Sequence, residues 1–377
     1  MTAATPTRGL EGVVLTSTRL SAIDGATGHL SYAGYDIHDL AEQASFEEVC
    51  YLLWYGELPG PAELRAFHER LAAERALDEA ELALVRAIPN AGHGMDALRT
   101  LVSALAQLDE RAADVSPANV ERIGLRIVGR LPALLMAWHR ARSGLAPVPS
   151  DPQRSHAADT LAMLHGRAPG AAAERAVNAY LVLLAEHGLN ASTFAARVAI
   201  SAGADVYAAV VAALATLKGP LHGGANELAM RTFLAIGEPA HAVGYVEALV
   251  ARRERLMGVG HRIYKVEDPR VRHLRHHAHA LAAETGAPWP AVADAVADAV
   301  QTHPHFVQRQ LNPNVEFYSA PLLYSLGLPL DLFTAAFALS RAAGWVAHIR
   351  EQLADNRIIR PKADYSGPPL RPFRPLE

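Results

Sequence analysis

The nine residues Lys218-Gly-Pro-Leu-His-Gly-Gly-Ala-Asn226 cut the chain where it would otherwise run on as helix. Upstream, residues 198–217 carry Asp205 as their only charge. Gly219-Pro220 must end any helix there, because proline lacks a backbone N–H and disfavours α geometry in the residue before it. His222 therefore stands at a forced break. Gly223 and Gly224 permit backbone angles closed to other residues and let a ligand approach the main chain, while Asn226 is placed to cap a helix starting at Glu227. On this stretch alone, a turn with an incidental histidine and a functional loop are both open readings.

The rest of the chain reads as helix around that break. Ser45-x-x-Glu48 is a capping box ahead of Val49, Leu52 and Leu53, with Gly56 as a stop, and Pro61 opens a helix with Leu64, Phe67 and Leu71 on one face. The 3.6-residue period continues over 96–108, 119–142 with a kink expected at Pro132, 156–164, 171–186 and 192–198. Beyond the turn it continues over 226–236, 240–257, 271–285, 289–302 and 330–354. Residues 198–217 are long enough to span a bilayer, but their alanines, Asp205 and the adjoining polar turn predict one buried helix of a large core. Only the start looks like β structure: 12–18, then 20–23, a turn at Asp24-Gly-Ala-Thr-Gly28, and 29–32 as a hairpin partner. With 377 residues the chain has room for two domains, and no Pro/Ser spacer separates them. The net charge of −4 excludes a nucleic-acid binder by charge. The single cysteine, Cys50, rules out an intramolecular disulfide, reads as core packing and fits a reducing compartment. No apolar run follows the N-terminal charge, so the cytoplasm is the expected location and no membrane anchor is expected.

Two further breaks resemble the first. Met257-Gly-Val-Gly-His261-Arg-Ile-Tyr-Lys265 is a glycine turn with a histidine and two cations, followed by Asp268-Pro-Arg270 at a helix start. Asn312-Pro-Asn-Val-Glu316-Phe-Tyr-Ser-Ala320 places a carboxylate at another break. Two histidines and a carboxylate on irregular segments form an acid–base constellation, although their spacing fixes no geometry. His261 beside Arg262 also fits a surface turn, and Glu316 a carboxylate favoured at a helix N-terminus. His273, His276, His277 and His279 lack a cysteine or nearby carboxylate to complete a metal set, so a solvated basic face is expected and no metal site. No GxSxG, HExxH or GxxxxGK[ST] motif supports a serine hydrolase, zincin or P-loop protein.

Taken together, Gly219-Pro-Leu-His-Gly-Gly-Ala-Asn226, Gly258-Val-Gly-His-Arg-Ile-Tyr-Lys265 with Asp268-Pro-Arg270, Asn314-Val-Glu-Phe-Tyr-Ser319 and Arg357-Ile-Ile-Arg-Pro-Lys362 resemble citrate synthase, in the right order and over nearly the whole chain. The length resembles the shorter, dimeric type. The resemblance implies a mainly α, two-domain fold with a small N-terminal β-hairpin. Residues 1–224 and 328–377 would form a large dimerising domain, and 225–327 a small domain that closes over the substrates. It implies condensation of acetyl-CoA with oxaloacetate and water to citrate and CoA, with no permanently bound cofactor. By similarity His222 donates a hydrogen bond to the thioester oxygen from a turn of exposed N–H groups, Glu316 removes the methyl proton, and His261 polarises the ketone and protonates the alkoxide. His187, Arg270, Arg341 and Arg360 match the oxaloacetate contacts, Arg360 being expected in the partner subunit's site of a homodimer. Leu256, Met257, Gly258, Val259 and Gly260 would hold the adenine part of CoA, with Arg262, Lys265 and Lys362 available to its phosphates. The chain departs from the family pattern at Glu316, usually aspartate, and at Ala320, usually glycine. The extra methylene moves the carboxylate by more than an ångström unless the backbone retreats. Two alternatives accompany the main reading: a 2-methylcitrate synthase using propionyl-CoA, and a weakly active or non-catalytic ligand-binding paralogue.

Overall fold

Asp24 builds the first hairpin among the described residues, 7–373 of a computed structural model. Its Oδ1 accepts from the N–H groups of Ala26 at 2.9 Å and Thr27 at 3.3 Å, turning Ser21–Asp24 back against His29–Tyr32. Ser21 faces Tyr32 and Asp24 faces His29, and the two-residue strand Tyr35–Asp36 completes an antiparallel sheet in chain order. The expected strand at 12–18 does not form. That stretch finds no pairing edge and lies exposed, Val14 at 90%, and its end is tied instead to Glu351, which accepts from the Arg19 N–H at 2.9 Å.

Everything after the sheet is helix, as the periodicity predicts. The Ser45 capping box forms, with Glu48 Oε2 accepting the Ser45 N–H at 2.7 Å, and Gly56 closes helix Phe46–Tyr55 with a left-handed φ of +89°. Cys50 is buried in the core. Helix Pro117–Arg142 runs through Pro132 without interruption. Three expectations change. Residues 198–217 are two helices, Ala191–Ser201 and Val206–Leu217: the chain turns at Gly203, φ +85°, and Asp205 caps the second helix through the Ala208 N–H at 2.8 Å. Asp205 is thus a start signal and not a charge inside a helix. The expected helix 240–257 stops at Ala251, because Arg253 adopts φ +57°, and starts as a 3-10 turn at Pro239–His241. Asn226 lies inside helix Ala225–Ile236 and not at its cap.

The longest buried run among the described residues is in helix Phe333–Ala354, in which every residue from Phe333 to Ile349 is buried. Leu330–Ala354 is long and apolar enough to cross a membrane by composition, yet its whole apolar window lies inside the helical core. Helix Ala171–Leu184 packs between it and helix Val271–Thr285. The small sheet fixes the exit of Ala171–Leu184: the Tyr32 hydroxyl reaches Leu183 O at 3.0 Å and Glu186 O at 2.9 Å. His187 follows at once.

Candidate active site

His222 is held from one side of its ring. The Ser192 N–H lies 3.3 Å from Nε2 and the Ser192 hydroxyl 2.9 Å from the same atom. A backbone N–H can only donate, so Nε2 accepts and the ring hydrogen is assigned to Nδ1, where no protein group among the described residues meets it. Ser192 is itself fixed by the indole N–H of Trp345 at 3.2 Å and by Asn190, which caps helix Ala191–Ser201. Burial, with the nearby Arg341, pushes the His222 pKa down to about 4, so the ring is neutral. Three of the turn's amides are not the exposed donors expected from the sequence. His222 and Gly224 N–H groups donate to Gly219 O, and the Gly223 N–H donates to Leu217 O at 2.9 Å. This tight wrap requires glycine at 223, since a Cβ there would stand 2.7 Å from Leu217 O. The imidazole is a donor left to the turn, beside the N–H of the exposed Leu221.

His261 shows the same logic in mirror image. Its Nδ1 accepts from the N–H groups of Ile263 at 3.0 Å and Tyr264 at 3.1 Å, which leaves the hydrogen on Nε2. Burial and Arg270 bring its pKa down to about 4. His187 stands beside it, ring centroids 5.5 Å apart, with Nε2 3.1 Å from the Tyr264 hydroxyl. Burial and then Arg270 and Arg341 hold His187 well below the usual histidine range. Arg270 is buried and clamped by Asp268, Nε to Oδ1 at 2.9 Å and Nη2 to Oδ2 at 2.6 Å. Arg341 is buried too, its Nε donating to Leu184 O at 2.7 Å and its guanidinium stacked 4.9 Å from the Phe337 ring centre.

Glu316 sits in the first turn of helix Val315–Ser325, its N–H donating to the capping Asn314 Oδ1 at 3.1 Å. Burial raises its pKa, against the pull of Arg270 and Arg341, and no side chain among the described residues hydrogen-bonds its carboxylate. The loop before it is laced to the glycine turn. Val259 bridges Pro313, the Gly260 N–H donates to Asn312 O at 2.7 Å, the Asn314 N–H to Gly258 O at 2.9 Å, and Asn314 Nδ2 to Gly260 O at 2.9 Å. Gly258 has φ +80°, and a Cβ there would meet Phe317 Cα at 3.1 Å. Leu256, Met257 and Val259 complete this turn, with Leu256 buried. Tyr180, buried in the field of Glu316 and Arg341, carries a hydroxyl without a partner among the described residues.

Six residues singled out in the sequence thus share one electrostatic neighbourhood: His187, His222, His261, Arg270, Glu316 and Arg341. Arg262, Lys265, Arg360 and Lys362 are exposed, and of these Lys265 acts on His261. Arg262 lies 3.6 Å from Glu11. The histidine run is not one solvated face: His273 is buried, and His279 pairs with Asp294 at 2.7 Å. A cavity of about 570 Å³ beside that helix, lined by Glu267, Arg272, Arg275 and His276 among others, contains none of the six. Among the described residues no group of three or more His, Cys, Asp or Glu side chains is placed to hold a metal. Sequence reasoning missed Ser192 and Tyr264, which orient the histidines. The capping pattern after Asn190 and the tyrosine three residues past His261 were the available signals.

Two neutral imidazoles offering N–H groups, a half-buried carboxylate of raised pKa and two buried arginines define a helical acid–base enzyme for an anionic substrate. The sequence profile described as "Citrate synthase, C-terminal domain" matches residues 9–362. Citrate synthase 2 of Bacillus subtilis (strain 168) is 43% identical over 376 residues, covering 99% of both chains. The 2-methylcitrate synthase 2 of Corynebacterium glutamicum is 39% identical over 386 residues, covering 100% of both. The citrate synthase of Thermoplasma acidophilum, solved in ternary complex with carboxymethyl coenzyme A and oxaloacetate, is similar with a TM-score of 0.92, 33% identity and 98% of each chain covered. The chain belongs to the citrate synthase family.

Proposed function

We propose that the protein is a citrate synthase that condenses acetyl-CoA with oxaloacetate and water, giving citrate and CoA. The observation that carries this reading is the pair of neutral imidazoles, each held at one nitrogen by main-chain N–H groups and free to donate from the other, in one neighbourhood with Glu316. The methyl proton of a thioester is very weakly acidic, so a carboxylate base needs the enolate oxygen stabilised as the proton leaves. Glu316 takes that proton while His222 Nδ1–H bonds the thioester oxygen. The enolate carbon then attacks the oxaloacetate ketone, whose oxygen bonds His261 Nε2–H and receives a proton as it becomes an alkoxide. Arg270, Arg341 and His187 hold the dicarboxylate, and water hydrolyses the resulting citryl thioester.

Arg360, exposed on the C-terminal arm, reaches the partner's site in a cytoplasmic homodimer. Residues 225–327 close on the rest, and the glycine turn 256–260 takes the adenine end of CoA with Arg262, Lys265 and Lys362 near its phosphates. Compaction in solution scattering with oxaloacetate and a CoA analogue tests the closure; an unchanged radius of gyration refutes it. The 2-methylcitrate synthase relative favours a second acyl reading, propionyl-CoA, since one methyl group is worth only about 1–3 kcal/mol of discrimination. Thiol release with each acyl-CoA decides: a higher kcat/KM for acetyl-CoA supports citrate synthase, a higher value for propionyl-CoA the second reading. Binding of both ligands without thiol release leaves a non-catalytic paralogue.

A further inference from the structure

Helices Ile37–Gln43 and Val271–Thr285 meet through two imidazoles. His38 Nδ1 lies 2.8 Å from His273 Nε2, with the ring centroids 5.1 Å apart and the planes inclined at 39°. The Arg272 Nε–H also points at His273 Nε2, at 3.2 Å. A guanidinium has no acceptor, so Nε2 accepts and the short contact carries the hydrogen of His38 Nδ1. The bond is therefore directed from the first helix to the second. Glu42, one turn further along the first helix, faces back, with Oε1 3.8 Å from Arg272 Nη2 and 4.0 Å from His273 Nδ1.

This contact is an odd choice for packing alone. His273 is 6% exposed, beside Val271 and Leu274 in the same buried face, where an aliphatic side chain avoids desolvating a polar ring. Apolar contacts of that face with helices Ala171–Leu184 and Val315–Ser325 fix no rotation, whereas a linear hydrogen bond does. The helix it fixes has Arg270 as its N-cap, three residues before His273. The helix it fixes it to is held in turn: Asp36 accepts the His38 N–H at 2.7 Å, and the strand His29–Tyr32, paired with the adjoining Tyr35–Asp36, carries Tyr32, which anchors the exit leading to His187. One N-terminal unit thus references both His187 and Arg270.

We propose that His38 and His273 are positioning residues for Arg270, their hydrogen bond setting the rotation of the first turn of Val271–Thr285 and so the depth at which the guanidinium meets the substrate carboxylate. The inference rests on the dicarboxylate-binding reading given above. His38→Phe and His273→Leu remove the bond and keep apolar volume. His38→Asn returns an amide N–H where Nδ1–H stood, and His273→Gln an amide oxygen where Nε2 stood. Oxaloacetate KM at saturating acetyl-CoA, and oxaloacetate Kd by calorimetry, are measured on each and on the His38→Phe/His273→Leu double variant. We expect both apolar variants to raise KM and Kd about 5- to 20-fold with kcat within about twofold, the double to be no worse than either, and the amide variants to stay near wild type. Unchanged affinity in folded apolar variants overturns the proposal, as do amide variants as impaired as the apolar ones. Should His273→Leu fail to fold, the half-buried His38 site carries the same comparison. A wild-type chain that does not bind oxaloacetate refutes the functional reading and this proposal with it; wild-type binding with unaltered variants refutes this proposal alone.

Discussion

Replacing Glu316 by glutamine keeps the side chain's shape and removes its charge and its basicity. The half-buried carboxylate has a raised pKa and lies in the field of Arg270 and Arg341, and no side chain among the described residues hydrogen-bonds it. Asp268, the other carboxylate that acts on Glu316, is committed to Arg270 through both oxygens. Loss of a general base costs about 10²–10⁴-fold, and the upper half of that range is expected here. Removing a negative charge near two arginines leaves oxaloacetate binding intact or tighter. Glu316→Asp asks the complementary question. The loop before Glu316 is fixed to the glycine turn by the Gly260, Asn314 N–H and Asn314 Nδ2 bonds, so the backbone does not follow a shorter side chain. The carboxylate withdraws by one C–C bond, about 1.5 Å, and displacement on that scale costs about 10²-fold, or ~2.7 kcal/mol of barrier. The assay is CoA thiol release at saturating ligands, with calorimetry of oxaloacetate binding as the control. A glutamine variant within tenfold of wild type removes Glu316 from the base role. An aspartate variant at or above wild-type rate refutes the fixed-loop argument.

Four further outcomes are expected. The kcat–pH profile has its acid limb above pH 4.5, because Glu316 must be deprotonated and its pKa is raised from that value, while His222 and His261, at about 4, protonate only later as pH falls; a limb at or below pH 4.5 refutes the raised carboxylate as the base. Tyr264→Phe loses the 3.1 Å contact to His187 and raises oxaloacetate KM about 3- to 10-fold with kcat nearly held; an unchanged KM in steady-state kinetics refutes its orienting role. Gly258→Ala forces a Cβ against Phe317 at a φ of +80°, so kcat falls and thermal unfolding comes earlier, whereas wild-type values in both measurements refute the lacing of the two loops. If the chain forms the proposed homodimer with Arg360 acting across it, Arg360→Ala and Arg341→Ala are each impaired and mixed refolding restores part of the activity; no recovery, with mixed dimers shown to form, places Arg360 elsewhere.

The breaks at Gly219-Pro220, Gly258–Gly260 and Asn312-Pro313 were legible because proline and glycine act on the backbone locally, and His222, His261 and Glu316 could be read off them. The hairpin at Asp24 and the capping box at Ser45 were legible for the same reason. Asp205 was misread because a charge within an apolar run and a helix cap look alike until the glycine two residues earlier is given weight. What orients the site was not legible. Ser192 meets His222 across 30 residues, Tyr264 meets His187 across 77, and His38 meets His273 across 235, and pairings at such separations leave no periodic mark. Three of the turn's N–H groups, those of His222, Gly223 and Gly224, were misjudged because closing back on Gly219 and Leu217 is a three-dimensional event.

The tautomer of His261 is held by the N–H groups of Ile263 and Tyr264 and by no side chain. It is therefore inherited from the path of the main chain. Nineteen of the twenty amino acids supply the same N–H at 263, which leaves the exposed Ile263 free to drift over evolutionary time without disturbing the proton on the ring. Only an imino acid at 263 or 264 would erase one of those bonds, so this part of the chemistry is shielded from ordinary side-chain mutation.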